Sequence, residues 1–198
     1  MTESPLRIVE ARSDEDLRAV GAFRYRCYLA EGLIDPCPEE CFVDAYDAAE
    51  RARVFMILSG GRIVGSIRLH ILDRGSHVSA TMAAFPDILM PKLDAGLTLI
   101  DGARFAVAPD LGALRLPVAR RTLRLYSTLG KMNDADYGVA AIRENRTGFY
   151  RRLYGFRQIA PPRPYGALKQ ELALVGVDLR SDKPARTPSD RSMLIDAM

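Results

Sequence analysis

Leu99-Ile100-Asp101-Gly102-Ala103-Arg104-Phe105-Ala106-Val107 is an apolar run of strand character that carries a carboxylate and a guanidinium three residues apart. An ionised side chain is costly to bury alone, so a strand with both signs predicts a partly solvated site in which each charge meets an opposite one. Strict alternation would put Asp101 and Arg104 on opposite faces. Gly102 between them is a natural position for a β-bulge that resets the phase and brings both to one side. Such a bulge also frees backbone N–H groups around Phe105 and Val107, where an oxyanion can be held.

Outward from this strand, the chain alternates helical and extended patterns. Residues 6–9 read as a short first strand, and Ser13-Asp14-Glu15-Asp16 as a helix start with an acidic first turn. Along that helix Leu17, Val20, Arg24, Cys27 and Tyr28 recur at three- and four-residue spacing. Arg24 therefore shares the apolar stripe, facing inward or snorkelling out from its edge. Residues 32–53 are broken by Pro36 and Pro38, and they set Glu39, Glu40, Asp44 and Asp47 beside Phe42, Val43 and Tyr46. That interleaving predicts a segment folded over a site rather than a plain surface loop.

Ser59-Gly60-Gly61 joins strands at 54–58 and 62–72 as a hairpin. In the second strand Ile63, Gly65, Ile67, Leu69 and Ile71 share one face, and Ser66, Arg68 and His70 the other. The second face turns Arg68 toward a substrate cleft or toward solvent, with His70 a neighbour rather than a catalyst. Residues 82–93 read as a helix interrupted by Pro86 and Pro91, 117–137 as a helix, 139–142 as a strand, 146–154 as a helix, and 156–159 with 168–179 as a closing strand pair. The order β-α-ββ-β-α-β-α-ββ predicts an α/β fold, a twisted mixed sheet with helices on both faces.

With 48% hydrophobic and 27% charged residues, 198 residues fill one domain over 1–179, followed by a polar tail over 180–198 that reads as mobile or partner-binding. No apolar run reaches the roughly 20 residues of a membrane span, and Met1-Thr2-Glu3-Ser4-Pro5 lacks a secretory pattern, so a cytoplasmic protein is expected. Cys27, Cys37 and Cys41 form an odd set beside two histidines, which supports neither a disulfide framework nor a metal site. The net charge of +3 is too mild to call for nucleic acid. Basic residues are instead concentrated: Arg120, Arg121 and Arg124 on the helix read over 117–137, with Arg115 just upstream and Arg143, Arg146, Arg151 and Arg152 later. They form either a docking face for an acidic partner or a solvated surface.

Tyr150-Arg151-Arg152-Leu153-Tyr154-Gly155-Phe156, placed before the last strand pair in this element order, resembles the GNAT acyltransferase superfamily, where a similar F-Y-x-x-x-G-F run precedes the final hairpin. Within residues 5–179, the set Arg24, Tyr28, Asp44-x-x-Asp47, Arg68 and Asp101-x-x-Arg104-Phe105 is similar to that of the acyl-homoserine-lactone (autoinducer) synthases and the related N-acyl amino acid synthases. Those enzymes transfer a fatty acyl group from acyl carrier protein to an amine. The chain has no tryptophan, carries Asp101 where autoinducer synthases have glutamate, and Tyr28 where they have phenylalanine. These departures point away from S-adenosylmethionine as the amine, and the F-Y-x-x-x-G-F ending leans toward the N-acyl amino acid synthases. Residues 109–119 lack the R/Q-x-x-G-x-G/A loop by which acetyltransferases cradle coenzyme A. A carrier-protein thioester is then the expected donor ahead of acyl-CoA, with no tightly bound cofactor.

The resemblance implies attack of an amino acid α-amine on a thioester carbonyl. Asp101, or a water it orders, is the expected base, with Asp44 and Asp47 binding the ammonium. Arg24, Arg68 and Arg104 hold those carboxylates or the substrate carboxylate. Tyr28 joins the substrate pocket, Phe105 and Val107 offer backbone N–H groups, and the acyl tail lies between the sheet and the helices around 82–93 and 123–129. Two other readings stay open: an acyl-homoserine-lactone synthase using S-adenosylmethionine, and a non-catalytic module that binds an acylated carrier protein.

Overall fold

Gly60 and Gly61 take φ angles of 56° and 81° and close a two-residue turn between β2 (Ala52–Ser59) and β3 (Arg62–Leu72), as the paired glycines predict. A computed structural model describes residues 5–180, so the tail beyond Arg180 lies outside the described residues. β1 (Arg7–Ala11), β4 (Leu99–Val107), β5 (Tyr137–Ile142), β6 (Arg157–Arg163) and β7 (Leu172–Asp178) complete one sheet in the order β1-β2-β3-β4-β5-β7-β6. Every neighbouring pair in it is antiparallel except β4 with β5.

α1 (Asp14–Ala30), capped by Ser13 in a capping box with Asp16, covers one face together with α2 (Ala80–Ala84) and α3 (Pro86–Asp94). α4 (Arg115–Met132) and α5 (Thr147–Tyr154) cover the other. The predicted mixed sheet with helices on both faces is the fold observed. Phe85, Leu89, Leu93, Leu99 and Leu174, all fully buried, form the core under α2 and α3.

Several boundaries differ from the sequence reading, each for a local reason. The 82–93 helix divides at Phe85, because Pro86 lacks an N–H and starts a new helix, whereas Pro91 is accommodated inside α3. The helix read to 137 ends at Met132, where the Asn133 side chain bonds the Leu129 carbonyl and Asp134 turns to a φ of 52°. β5 accordingly starts at Tyr137. The last strand begins at Leu172 rather than 168, since Gly166, with a φ of 57°, turns the chain just before it. β6 runs on through Pro161 and Pro162, which an edge strand tolerates.

The decisive geometry lies in β4. Ser66 pairs with Ala106 and Arg68 with Ala103, so Arg104 and Phe105 together oppose Ile67. The bulge therefore sits at Arg104, with a φ of 53°, and not at Gly102 as predicted. Gly102 stays in register with Leu69 and Ala140, and its missing side chain serves packing instead: a Cβ there would lie 2.7 Å from the Tyr126 ring of α4. β4 pairs with β5 only from Leu99 to Gly102. Beyond the bend the two strands separate, and residues 103–107 of β4 have no partner on the β5 side.

Candidate active site

Two separate structures meet at this split: a buried charged network on the α1 face, and an open cleft that passes between the strands.

The network is assembled by local folding of residues 42–48. Phe42 N–H donates to the Gly21 carbonyl at 3.0 Å, strapping the segment to α1. A single 3-10 turn, Ala45–Ala48, follows. Asp44 caps it by accepting from Tyr46 N–H at 3.0 Å, and Asp47 accepts from Asp44 N–H at 3.0 Å, a reciprocal capping box. The Asp-x-x-Asp spacing thus has a backbone role, and it aims both carboxylates at the arginines. Arg24 Nη1 donates to Asp47 Oδ1 at 2.8 Å, and Arg68 Nη1 lies 3.1 Å from the same oxygen. Arg68 also pairs with Asp44, to which Arg104 Nε donates at 3.0 Å. Arg104 stacks against Phe42 and Tyr165, 4.8 and 5.6 Å from the ring centroids, contacts that offset the strain of its left-handed backbone.

Arg24 is completely buried, so it faces inward and does not snorkel; Arg68 is equally buried and not turned to solvent. Arg24, Arg68, Arg104, Asp44 and Asp47 therefore converge as predicted. Asp47 is enclosed by guanidinia, while the Asp44 side chain keeps 22% exposure. Burial alone would raise the Asp44 pKa, but Arg68 and Arg104 outweigh it and hold the carboxyl down at about 2. A carboxylate depressed from 3.8 to about 2 on folding adds stability that is complete above pH 3.8 and is lost as pH falls toward 2. Urea midpoints measured from pH 5 to 2 are expected to fall through that window, and Asp44→Asn to flatten part of the fall. An unchanged slope in the variant would contradict the assignment.

Asp101 departs from expectation. It is fully buried, and among the described residues it has no ion pair. Its Oδ1 accepts from Thr81 Oγ1 at 2.7 Å, and Thr81 Oγ1 lies 2.9 Å from the Tyr165 hydroxyl. Its Oδ2 has no hydrogen-bond partner. Across the strand pair stands His70, whose Nε2 meets the Tyr46 carbonyl at 3.2 Å. A carbonyl only accepts, so Nε2 carries the proton and Nδ1 is a free acceptor. Burial lowers the His70 pKa against the pull of Asp101.

The cleft, about 2180 Å³, runs along the unpaired edge of β4 between α4 and α5 and reaches Tyr28, Arg104 and Tyr165. Ala108 N–H donates to Val64 of β3 at 3.0 Å, so strand alternation turns the N–H groups of Val107 and Phe105 the other way, toward the cleft. Tyr28 lines it and packs edge-on against Phe42 with ring centroids 5.1 Å apart. Leu123 of α4 and Phe149, Tyr150 and Leu153 of α5 give an apolar wall. None of residues 82–93 contributes, because α2 and α3 are closed into the core on the opposite face. At the rim stand Arg115, Arg120, Arg124, Arg143 and Arg146, with Arg115 and Arg143 both paired to Glu31. Arg121, Arg151 and Arg152 are exposed but lie outside the cleft wall.

Thr81 and Tyr165 are the residues that the sequence reading missed. Each is a lone hydroxyl in an unremarkable stretch, and only the fold brings it to Asp101. The three cysteines are free thiols, and among the described residues no group of three or more His, Cys, Asp or Glu is placed to hold a metal. No described helix is long and apolar enough to cross a membrane.

The family model of the N-acyl amino acid synthase FeeM matches residues 19–178. Among solved structures, FeeM, an N-acyl amino acid synthase from uncultured soil microbes, is 18% identical with a TM-score of 0.72, over 89% of this chain and 92% of that one. The AHL synthase LasI is 19% identical with a TM-score of 0.66, over 87% of this chain and 89% of that one. A GNAT-family acetyltransferase from Staphylococcus aureus Mu50 is 14% identical with a TM-score of 0.56, over 88% and 99%. No curated protein matches the sequence. The sheet and its helices thus form a GNAT fold.

Proposed function

The chain belongs to the FeeM family of N-acyl amino acid synthases and is an acyltransferase, and we propose that it moves a fatty acyl group from an acyl carrier protein thioester to the α-amine of an amino acid. The observation that carries this reading is the split between β4 and β5, which sets an unpaired strand edge and an apolar wall along one cleft, with the buried Asp101 carboxylate joined to it through Thr81 and Tyr165. In this reading the thioester arm lies along the free edge of β4, and the N–H groups of Phe105 and Val107 face its carbonyl as negative charge develops on oxygen. The acyl chain follows the apolar wall of α4 and α5. Asp44, the more open carboxylate of the network, takes the incoming ammonium beside Tyr28. Arg24, Arg68 and Asp47 keep that corner rigid, and Arg104 is aligned to accept the substrate carboxylate. Asp101 removes the proton that the amine loses as the C–N bond forms.

The rim arginines favour a carrier protein over coenzyme A, because a folded acidic partner can span Arg115, Arg120 and Arg124 together. With either donor the reaction belongs in the cytoplasm. The test supplies palmitoyl acyl carrier protein or palmitoyl-CoA together with the twenty proteinogenic amino acids or, separately, S-adenosylmethionine, and reads N-acyl amino acids and lactones by mass spectrometry. Product is expected with the carrier-protein donor. Reversing Arg120 and Arg124 to glutamate is expected to lower kcat/KM at least about tenfold with that donor, mainly through KM. Equal turnover of both donors in both proteins would reject the docking assignment, and a lactone formed only with S-adenosylmethionine would replace the amino acid as acceptor.

A further inference from the structure

Asp101 is sealed from the cleft: it is fully buried and absent from the cleft wall. Tyr165, which follows β6, does line that wall, and it is joined to Asp101 through Thr81 on α2. We propose that Tyr165, Thr81 and Asp101 form a proton relay, in which the Tyr165 hydroxyl is the group that meets the substrate amine and Asp101 stores its proton. The inference rests on the acyl-transfer reading above and adds the route by which the proton travels.

Hydrogen-bond capacity gives the relay its direction. Thr81 has one hydroxyl proton, and it donates that proton to Asp101 Oδ1. The Thr81 oxygen then accepts from Tyr165, which leaves a lone pair of the Tyr165 oxygen for an N–H in the cleft. Burial raises the Tyr165 pKa well above that of an ordinary phenol, so the hydroxyl stays protonated and passes a proton on without resting as phenolate. The amine nitrogen forms the C–N bond and loses a proton to Tyr165, Tyr165 gives its own to Thr81, and Thr81 gives its own to Asp101. When the C–S bond breaks, the same three transfers run backwards and deliver the proton to the departing thiolate, leaving amide, thiol and an ionised Asp101. Tyr165 is thus a catalytic residue, and Thr81 acts through its neighbours as a positioning residue.

The experiment uses the full chain, palmitoyl acyl carrier protein and the twenty proteinogenic amino acids, and follows amide by mass spectrometry and thiol release by a chromogenic reagent. Thr81→Val and Tyr165→Phe are each expected to lower kcat about a hundredfold with KM for the thioester changed by less than about threefold. The double variant is expected to be no slower than either single one, because both interrupt one path. Thr81→Ser restores the hydroxyl and is expected to recover kcat to within about tenfold of the native protein. In Thr81→Val, kcat is expected to rise about tenfold per pH unit where the native protein is flat, since hydroxide must then take the proton, a signature that looser packing would not produce. If Thr81→Val does not fold, Tyr165→Phe, which deletes a single oxygen, decides alone. Native rates and a native pH profile in both variants, with Asp101→Asn inactive, would overturn the relay and make Asp101 Oδ2 a direct base, leaving the acyl-transfer reading intact. Absence of amide from the native protein with every amine would overturn both.

Discussion

Asp47→Ala is expected to destabilise the fold by about 3–5 kcal/mol, the largest stability effect of any single substitution in the site. The carboxylate holds Arg24 and shares Arg68, and both guanidinia are completely buried. Its removal leaves Arg24 charged, dry and without its ion-pair partner, and it breaks the capping box that shapes residues 44–48. The cost is dominated by that stranded charge rather than by lost attraction. Replacing both partners, Arg24→Met with Asp47→Leu, is therefore expected to be milder than Asp47→Ala alone. Urea unfolding of the three proteins measures both differences. A loss under about 1 kcal/mol for Asp47→Ala would mean that Arg24 finds other partners or water, and that the network is not what anchors the segment.

Asp101→Asn is expected to abolish most turnover, with kcat reduced by about 10² to 10⁴ and the fold intact. An amide of nearly the same shape can still accept from Thr81, so the buried hydroxyl chain keeps its packing. It cannot store a proton. Because Asp101 has no ion pair among the described residues, the substitution strands no opposite charge, unlike Asp47→Ala. Stability and activity are thus expected to separate: Asp47→Ala fails mainly as a folded protein, and Asp101→Asn mainly as a catalyst. Thermal melting beside single-turnover amide formation distinguishes the two. Full turnover by Asp101→Asn would remove the carboxylate from the mechanism.

The sequence pattern carried most of the architecture, because hairpin glycines, helix caps and apolar periodicity are local signals. Ser13 with Asp16, Gly60-Gly61, and the two faces of β3 are each legible within a few residues. The convergence of Arg24, Asp44, Asp47, Arg68 and Arg104 was legible too, since ionised groups inside apolar stretches need one another. What escaped depends on register and on approach between distant segments. The phase of β4 is reset at Arg104 because its guanidinium is held by Asp44 and by two rings, contacts from residues about 60 positions away in either direction. Gly102, the better bulge residue by itself, was needed instead to let Tyr126 reach the sheet. Thr81 and Tyr165 carry no charge, so nothing in their neighbourhoods announced a role. Charge alone also does not tell which arginines border the cleft: Arg120 and Arg124 line it, while Arg121, one position on, lies outside its wall.

Mass spectrometry of organic extracts from cells expressing the native protein, set against cells expressing Asp101→Asn, separates acyl transfer from binding alone. N-acylated amino acids with fatty acyl chains are expected in the first extract and not in the second. Identical extracts, with donor and amines supplied in excess, would contradict acyl transfer and leave the fold as a module that binds acylated partners without transferring the acyl group.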